Sequence, residues 1–131
     1  MNPELAKSIH ERHSRIFRDP DDSPADPPRY CSLYCGDGWY TLIDVLCEEL
    51  QRLTDRQGAP QAVLTDVKEK YGSLSFHVRN TSNEQDAMID LVETLSMRIC
   101  EVCGAPGVMD ERPGVWVTVR CDAHRKNAQQ S

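Results

Sequence analysis

The chain has 131 residues, 39% of them apolar and 27% charged, which suits one domain or a domain with a small appendage and excludes global disorder. Its formal net charge of −6 is uneven: residues 1–97 hold ten basic and seventeen acidic side chains (−7), residues 98–131 five basic and four acidic (+1). An acidic body disfavours non-specific DNA binding, which relies on clustered Lys and Arg, and suits a protein partner with a basic surface.

The first fifteen residues, MNPELAKSIHERHSR, carry charges where a secretory leader has its apolar stretch, and no run approaches the roughly 18 apolar residues of a membrane span. The expectation is a soluble intracellular protein with no membrane contact. In that reducing setting its six cysteines are thiols or metal ligands rather than a disulfide framework.

In chain order, a helix is predicted over Pro3 to Phe17, with sparse apolar positions at Leu5, Ile9, Ile16 and Phe17. Residues 19–29, DPDDSPADPPR, hold four prolines and four aspartates in eleven positions and read as an extended linker or mobile loop. CGDGW then reads as a tight turn delivering Trp39 to a second helix. Leu42, Ile43, Leu46, Cys47, Leu50 and Leu53 recur there at helical spacing, and Gly58 followed by Pro60 is the stop.

A β-hairpin follows. Leu74, Phe76 and Val78 alternate with Ser75, His77 and Arg79, Gly72 marks the turn, and Val63, Thr65 and Val67 form the matching face of the partner strand. His77, on the polar face, reads as solvated. A third helix is capped by Ser82 or Asn83, with Met88, Ile89, Val92, Leu95 and Ile99 as its stripe. The fold class is α+β: helices packed on a small antiparallel hairpin or sheet, with a C-terminal zinc module. The divisions are 1–18 (helix), 19–30 (linker or loop), 31–99 (α+β core) and 100–131 (zinc module).

That module rests on Cys100, Cys103, Cys121 and His124, a C-x2-C and a C-x2-H with seventeen residues between. Thiolate sulfur and imidazole nitrogen suit tetrahedral zinc, and the glycine after Cys103 lets backbone amides curl toward the sulfurs. After the Pro113-Gly114 turn, Val115, Val117 and Val119 alternate with Trp116, Thr118 and Arg120 as a hairpin arm returning the chain to the metal. The CDAH tetrapeptide then opens a short helix. Knuckle, hairpin and helix in this order are the treble-clef or zinc-ribbon plan. Four protein ligands leave no open position, so one structural Zn2+ is expected per chain. Arg98, Arg120, Arg125 and Lys126 lie near enough in sequence to offset its three thiolates.

Cys31 and Cys35, with Cys47 and His10 or His13, are a weaker second metal candidate, because C-x3-C is less diagnostic and Cys47 already has a place on an apolar helix face. Trp39 reads as core rather than as a stacking platform, whereas Trp116 is equally an exposed interface anchor or a cover for the metal module. Catalysis is not expected and no catalytic residue is assigned: the hairpin arm GVWVTVR lacks the histidine of treble-clef nucleases, and no nucleophile elbow, paired carboxylates or Walker motif is present.

Three blocks in order, CGDGWYTLIDVLC, VKEKYGSLSFHV and ICEVCGAPG…WVTVRCDAH, resemble a family of small proteins encoded by bacteriophages, prophages and proteobacterial genomes, over about residues 8 to 125. The resemblance implies a bacterial or phage cytoplasmic setting and supports the zinc assignment, but it implies no activity. Two functions are carried forward. The first is a non-enzymatic interaction module, of the kind phages use against host defence complexes such as CRISPR. The second is a nucleic-acid-binding zinc finger with Arg112, Arg120, Arg125 and Lys126 on phosphates. A metal-dependent nuclease or hydrolase is the third and weakest reading.

Overall fold

The computed structural model describes residues 1–27 and 29–125. The first helix, α1 (Pro3–Arg12), starts where the Asn2 side chain accepts the Glu4 amide and proline fills the first helical position. It is shorter than predicted. The chain leaves the helix at His13 and tightens into a 3-10 turn over Ser14–Phe17. That turn buries both Ile16 and Phe17. The break is pinned to the second helix, because Arg12 and His13 each meet one carboxylate oxygen of Asp44 at 2.7 Å.

The Pro/Asp-rich segment folds back through turns, and Asp19 ion-pairs with Arg79. Pro28 of that segment lies outside the described residues. Strand β1 (Leu33–Tyr34) leads through a 3-10 turn (Asp37–Trp39) into α2 (Tyr40–Gln57), which ends on Gly58 in the left-handed conformation. Ile43, Leu46, Cys47 and Leu50 of α2 are buried, as the helical spacing predicts.

Strands β2 (Val63–Lys70) and β3 (Ser73–Arg79) form the expected antiparallel hairpin around Tyr71-Gly72. Its inner face differs from the prediction. Leu64 pairs with Val78 and Asp66 with His77, so Thr65 is the extra residue of a bulge. The insertion puts Leu64 and Val67 in the core and turns Thr65 outward. β1 adds in parallel against Val67 and Lys68, so the sheet is mixed, in the order β1-β2-β3, rather than antiparallel throughout.

Helix α3 (Asn83–Ser96) opens with a reciprocal capping box between Ser82 and Gln85. It also caps the free edge of β3: Leu74 N–H donates to Ser96 Oγ at 2.8 Å and Phe76 N–H to Glu93 Oε2 at 3.0 Å. Those donors would otherwise invite another strand. Of the predicted stripe, Ile89 is buried and Met88 and Val92 pack partly, but Leu95 is exposed and Ile99 lies beyond the helix, bridged to Pro106. Gln85, in the first turn, is fully buried as well, its amide donating to Leu50 O at 2.8 Å and Thr54 Oγ1 at 2.9 Å. Truncation in Gln85→Ala strips the cap and leaves a cavity; it should cost about 2 kcal/mol in chemical denaturation.

The C-terminal part is a two-stranded antiparallel ribbon, β4 (Val108–Asp110) and β5 (Thr118–Arg120), which sends Val119 into the core. The strand prediction from Val115 is too long, since only Thr118–Arg120 pairs. The fold is thus α+β, with three α-helices and a small mixed sheet among the described residues, and none of those helices is long and apolar enough to cross a membrane.

Candidate metal centre

Cys100 and Cys103 lie on a tight knuckle. Gly104 N–H donates to Cys100 O at 2.9 Å, Gly104 takes φ +82°, and Cys100 N–H donates to Ala105 O at 2.7 Å. β5 returns the chain to this knuckle, and Glu101 N–H donates to Val119 O at 3.1 Å. Cys121 and His124 follow on a turn closed by His124 N–H to Cys121 O at 3.1 Å. The helix expected to open here would run into residues 126–131, which lie outside the described residues.

The four ligand atoms lie within 4.8 Å of one another, close enough to hold a metal ion. Zn–S bonds of about 2.3 Å and Zn–N bonds of about 2.0 Å in a tetrahedron place two sulfurs about 3.8 Å apart and sulfur about 3.5 Å from nitrogen. Cys103 and Cys121 Sγ are 3.7 Å apart, and His124 Nδ1 lies 3.2 Å from Cys121 Sγ and 3.8 Å from Cys100 Sγ. These three separations are near the tetrahedral values, and the four atoms are close enough to hold a metal ion. All six cysteines are unbridged.

Electrostatics favour the thiolate at Cys100 and oppose it at Cys103. Burial pushes the Cys100 thiol up, but hydrogen bonds from the backbone of Cys121, Cys103 and Val102 outweigh it and bring the thiol down to about 6. At Cys103 the backbone of Ala105 favours the thiolate, yet burial together with Cys121 and Cys100 wins and holds the thiol above its ordinary value. Crowded thiolates of this kind are what a cation relieves.

The surrounding shell was less legible in the sequence. The Glu101 carboxylate accepts Gly36 N–H at 2.9 Å and Arg120 at 3.1 Å, and its carbonyl accepts Gly38 N–H at 2.7 Å. Trp39 is fully buried and donates its indole N–H to Ile99 O at 2.9 Å. Neither Gly36 nor Gly38 needs a positive φ. Both are required by close approach, because a Cβ would lie 2.3 Å from Glu101 O at residue 36 and 2.1 Å from Cys100 O at residue 38. CGDGW is therefore the seat of the Cys100–Cys103 knuckle as well as the entry to α2.

Of the basic residues expected to offset the thiolates (Arg98, Arg120, Arg125 and Lys126), Arg120 pairs with Glu101 and Arg125 meets the Asp110 carboxylate at 3.6 Å, while Lys126 lies outside the described residues. Arg112 meets the same Asp110 carboxylate at 2.6 Å. The Arg112 hydrogen bond holds the Asp110 carboxyl down at about 2. With the folded value depressed, this contribution to stability is complete above the ordinary aspartate value of about 4 and lost as pH falls through about 2. A carboxyl carbon titration by NMR should place the Asp110 midpoint near that lower value; an ordinary midpoint would disprove the pairing.

No second metal group joins the first among the described residues. His10 Nε2 contacts the Cys31 carbonyl at 3.1 Å, and His13 is bound to Asp44. Cys31, Cys35 and Cys47 are instead core thiols, pushed up by burial to about 11 and about 12 in the first two and higher still in Cys47. His77 is exposed, with Ser75 Oγ at 3.0 Å, and Trp116 is 76% exposed. No family model, no curated protein and no solved structure matches the chain.

Proposed function

We propose that the protein is a non-enzymatic interaction module whose C-terminal segment folds around one structural zinc ion in a treble-clef-like or zinc-ribbon-like arrangement. The observation that carries this reading is the Cys3His set itself, whose four ligand atoms lie within 4.8 Å of one another. Four protein ligands saturate a tetrahedral ion, so zinc would cross-link the chain and supply folding free energy rather than activate water. Cys100 and Cys103 would hold it from the knuckle, Cys121 and His124 from the turn after β5.

The acidic body supports a partner with a basic surface. With the phage-family resemblance, that makes a nucleic-acid-handling host defence complex, such as a CRISPR effector, the partner class to test first. Direct nucleic-acid binding is the less favoured reading, because Arg112, Arg120 and Arg125 already meet carboxylates.

The decisive measurements are metal content and binding. One zinc per chain, no turnover of nucleic acid or ester substrates with Mg2+ or Mn2+, and no DNA or RNA binding at about 50 mM salt agree with the proposal. A metal-free native protein removes its zinc half; salt-sensitive nucleic-acid binding replaces its partner half.

A further inference from the structure

The two most exposed aromatic side chains among the described residues line the same groove. Tyr71 is 78% exposed and Trp116 is 76% exposed. Both line a groove of about 810 Å3 between the β2–β3 turn and the loop entering β5, with Lys68, Glu69, Lys70 and Val117. A volume of this size lies within the range of ligand and peptide pockets, about 300–1,000 Å3.

Tyr71 carries the stronger argument. It is the first residue of a two-residue hairpin loop and has φ +52°, followed by Gly72 at φ +86°. Loops of this kind favour Asn-Gly, because a bulky side chain is strained at positive φ. Tyrosine accepts that strain here without burying its ring. A Cβ at Gly72 would lie 2.9 Å from Val117 and 3.2 Å from Met109, so the turn sits close against the β4–β5 part of the chain.

The charges select the occupant. Lys70 meets no carboxylate among the described residues, and Lys68 reaches Asp66 only at 3.6 Å, both side chains being more than 40% exposed. The Glu69 carboxylate is turned onto Gly72 N–H at 2.7 Å. Two available lysines match one or two carboxylates. They do not offset a chain of −6 against the continuous charge of a nucleic acid.

We propose that this groove is the docking site for a partner peptide that sets an apolar side chain between Tyr71 and Trp116 and one or two carboxylates on Lys68 and Lys70. The proposal rests on the reading of the protein as an interaction module, and it names a contact surface separate from the acidic body.

The test uses the full zinc-loaded chain, panned against a random library of peptides about 12 residues long. Expected hits carry aromatic or aliphatic residues beside Asp or Glu. Binding of a consensus peptide is then read by calorimetry in every variant and, where Trp116 is present, by its emission, Trp39 being fully buried. A saturable blue shift is expected, and Trp116→Ala or Lys70→Glu should weaken affinity by about tenfold or more. Tyr71→Asn should lose binding to a similar extent while raising Tm, which a merely structural tyrosine would not do.

No enrichment, enrichment of basic peptides, or stronger binding of a thymidine 12-mer overturns the proposal. Concentration-dependent burial of Trp116 without peptide assigns the groove to a second copy and likewise overturns it. Peptides that bind wild type and a Tyr71→Asn/Trp116→Ala variant alike remove the groove while leaving the interaction reading standing.

Discussion

Cys103→Ser is expected to abolish stoichiometric metal binding and unfold the segment from Ile99 to Arg125. Cys103 is exposed, whereas Cys100 is fully buried, so the serine disturbs no packing and isolates the ligand role. Structural zinc in small modules is worth on the order of 10 kcal/mol of folding free energy, and loss of one ligand should remove at least about 4. The damage should reach the core, because Val119 is buried there and the Trp39 indole donates to Ile99 O. Metal-to-protein ratio by mass spectrometry checks the first claim, and displacement of the Trp39 indole resonance in a nitrogen–proton spectrum checks the second. One retained equivalent of zinc with an unchanged Tm would sink the ligand assignment.

Gly38→Ala should be nearly as damaging, although it changes no ligand. Its new methyl would sit 2.1 Å from Cys100 O and 2.6 Å from Gly104 N, both backbone atoms of the knuckle that cannot rotate away. Either the knuckle shifts or the start of α2 does, at a cost of about 3 kcal/mol, the upper part of the overpacking range. Gly58→Ala is the control. Nothing lies within 4 Å of its Cβ position, so only φ +59° opposes the change, at about 1 kcal/mol. Urea denaturation of both variants separates steric collision from backbone strain. Equal losses would mean that the CGDGW seat is not built on close approach.

These two positions mark different degrees of legibility. Cys100, Cys103, Cys121 and His124 are readable because metal-ligand spacing is local chemistry: each pair lies within one turn, and the structure brings the pairs together. Gly38 is not readable in that way. Its constraint comes from backbone more than sixty residues later, and the sequence offers only a glycine-rich turn. Glu101 and Asp110 were missed for a similar reason. Each gathers partners from separate segments, and the only local hint is Arg112 two residues after Asp110.

By itself the sequence determined the helical stripe of α2, the β2–β3 hairpin and the spacing of the metal ligands, because period, turn chemistry and ligand geometry all operate over a few residues. Tertiary structure alone decided the rest. Leu64 enters the core through a bulge that one strand cannot announce, and a two-residue β1 is too short to carry a period. Trp116 stays outside because β5 pairs over only Thr118–Arg120, leaving it ahead of the ladder beside the turn that holds Tyr71. Such contacts join segments far apart in the chain, and their energies depend on what packs opposite rather than on which residues come next.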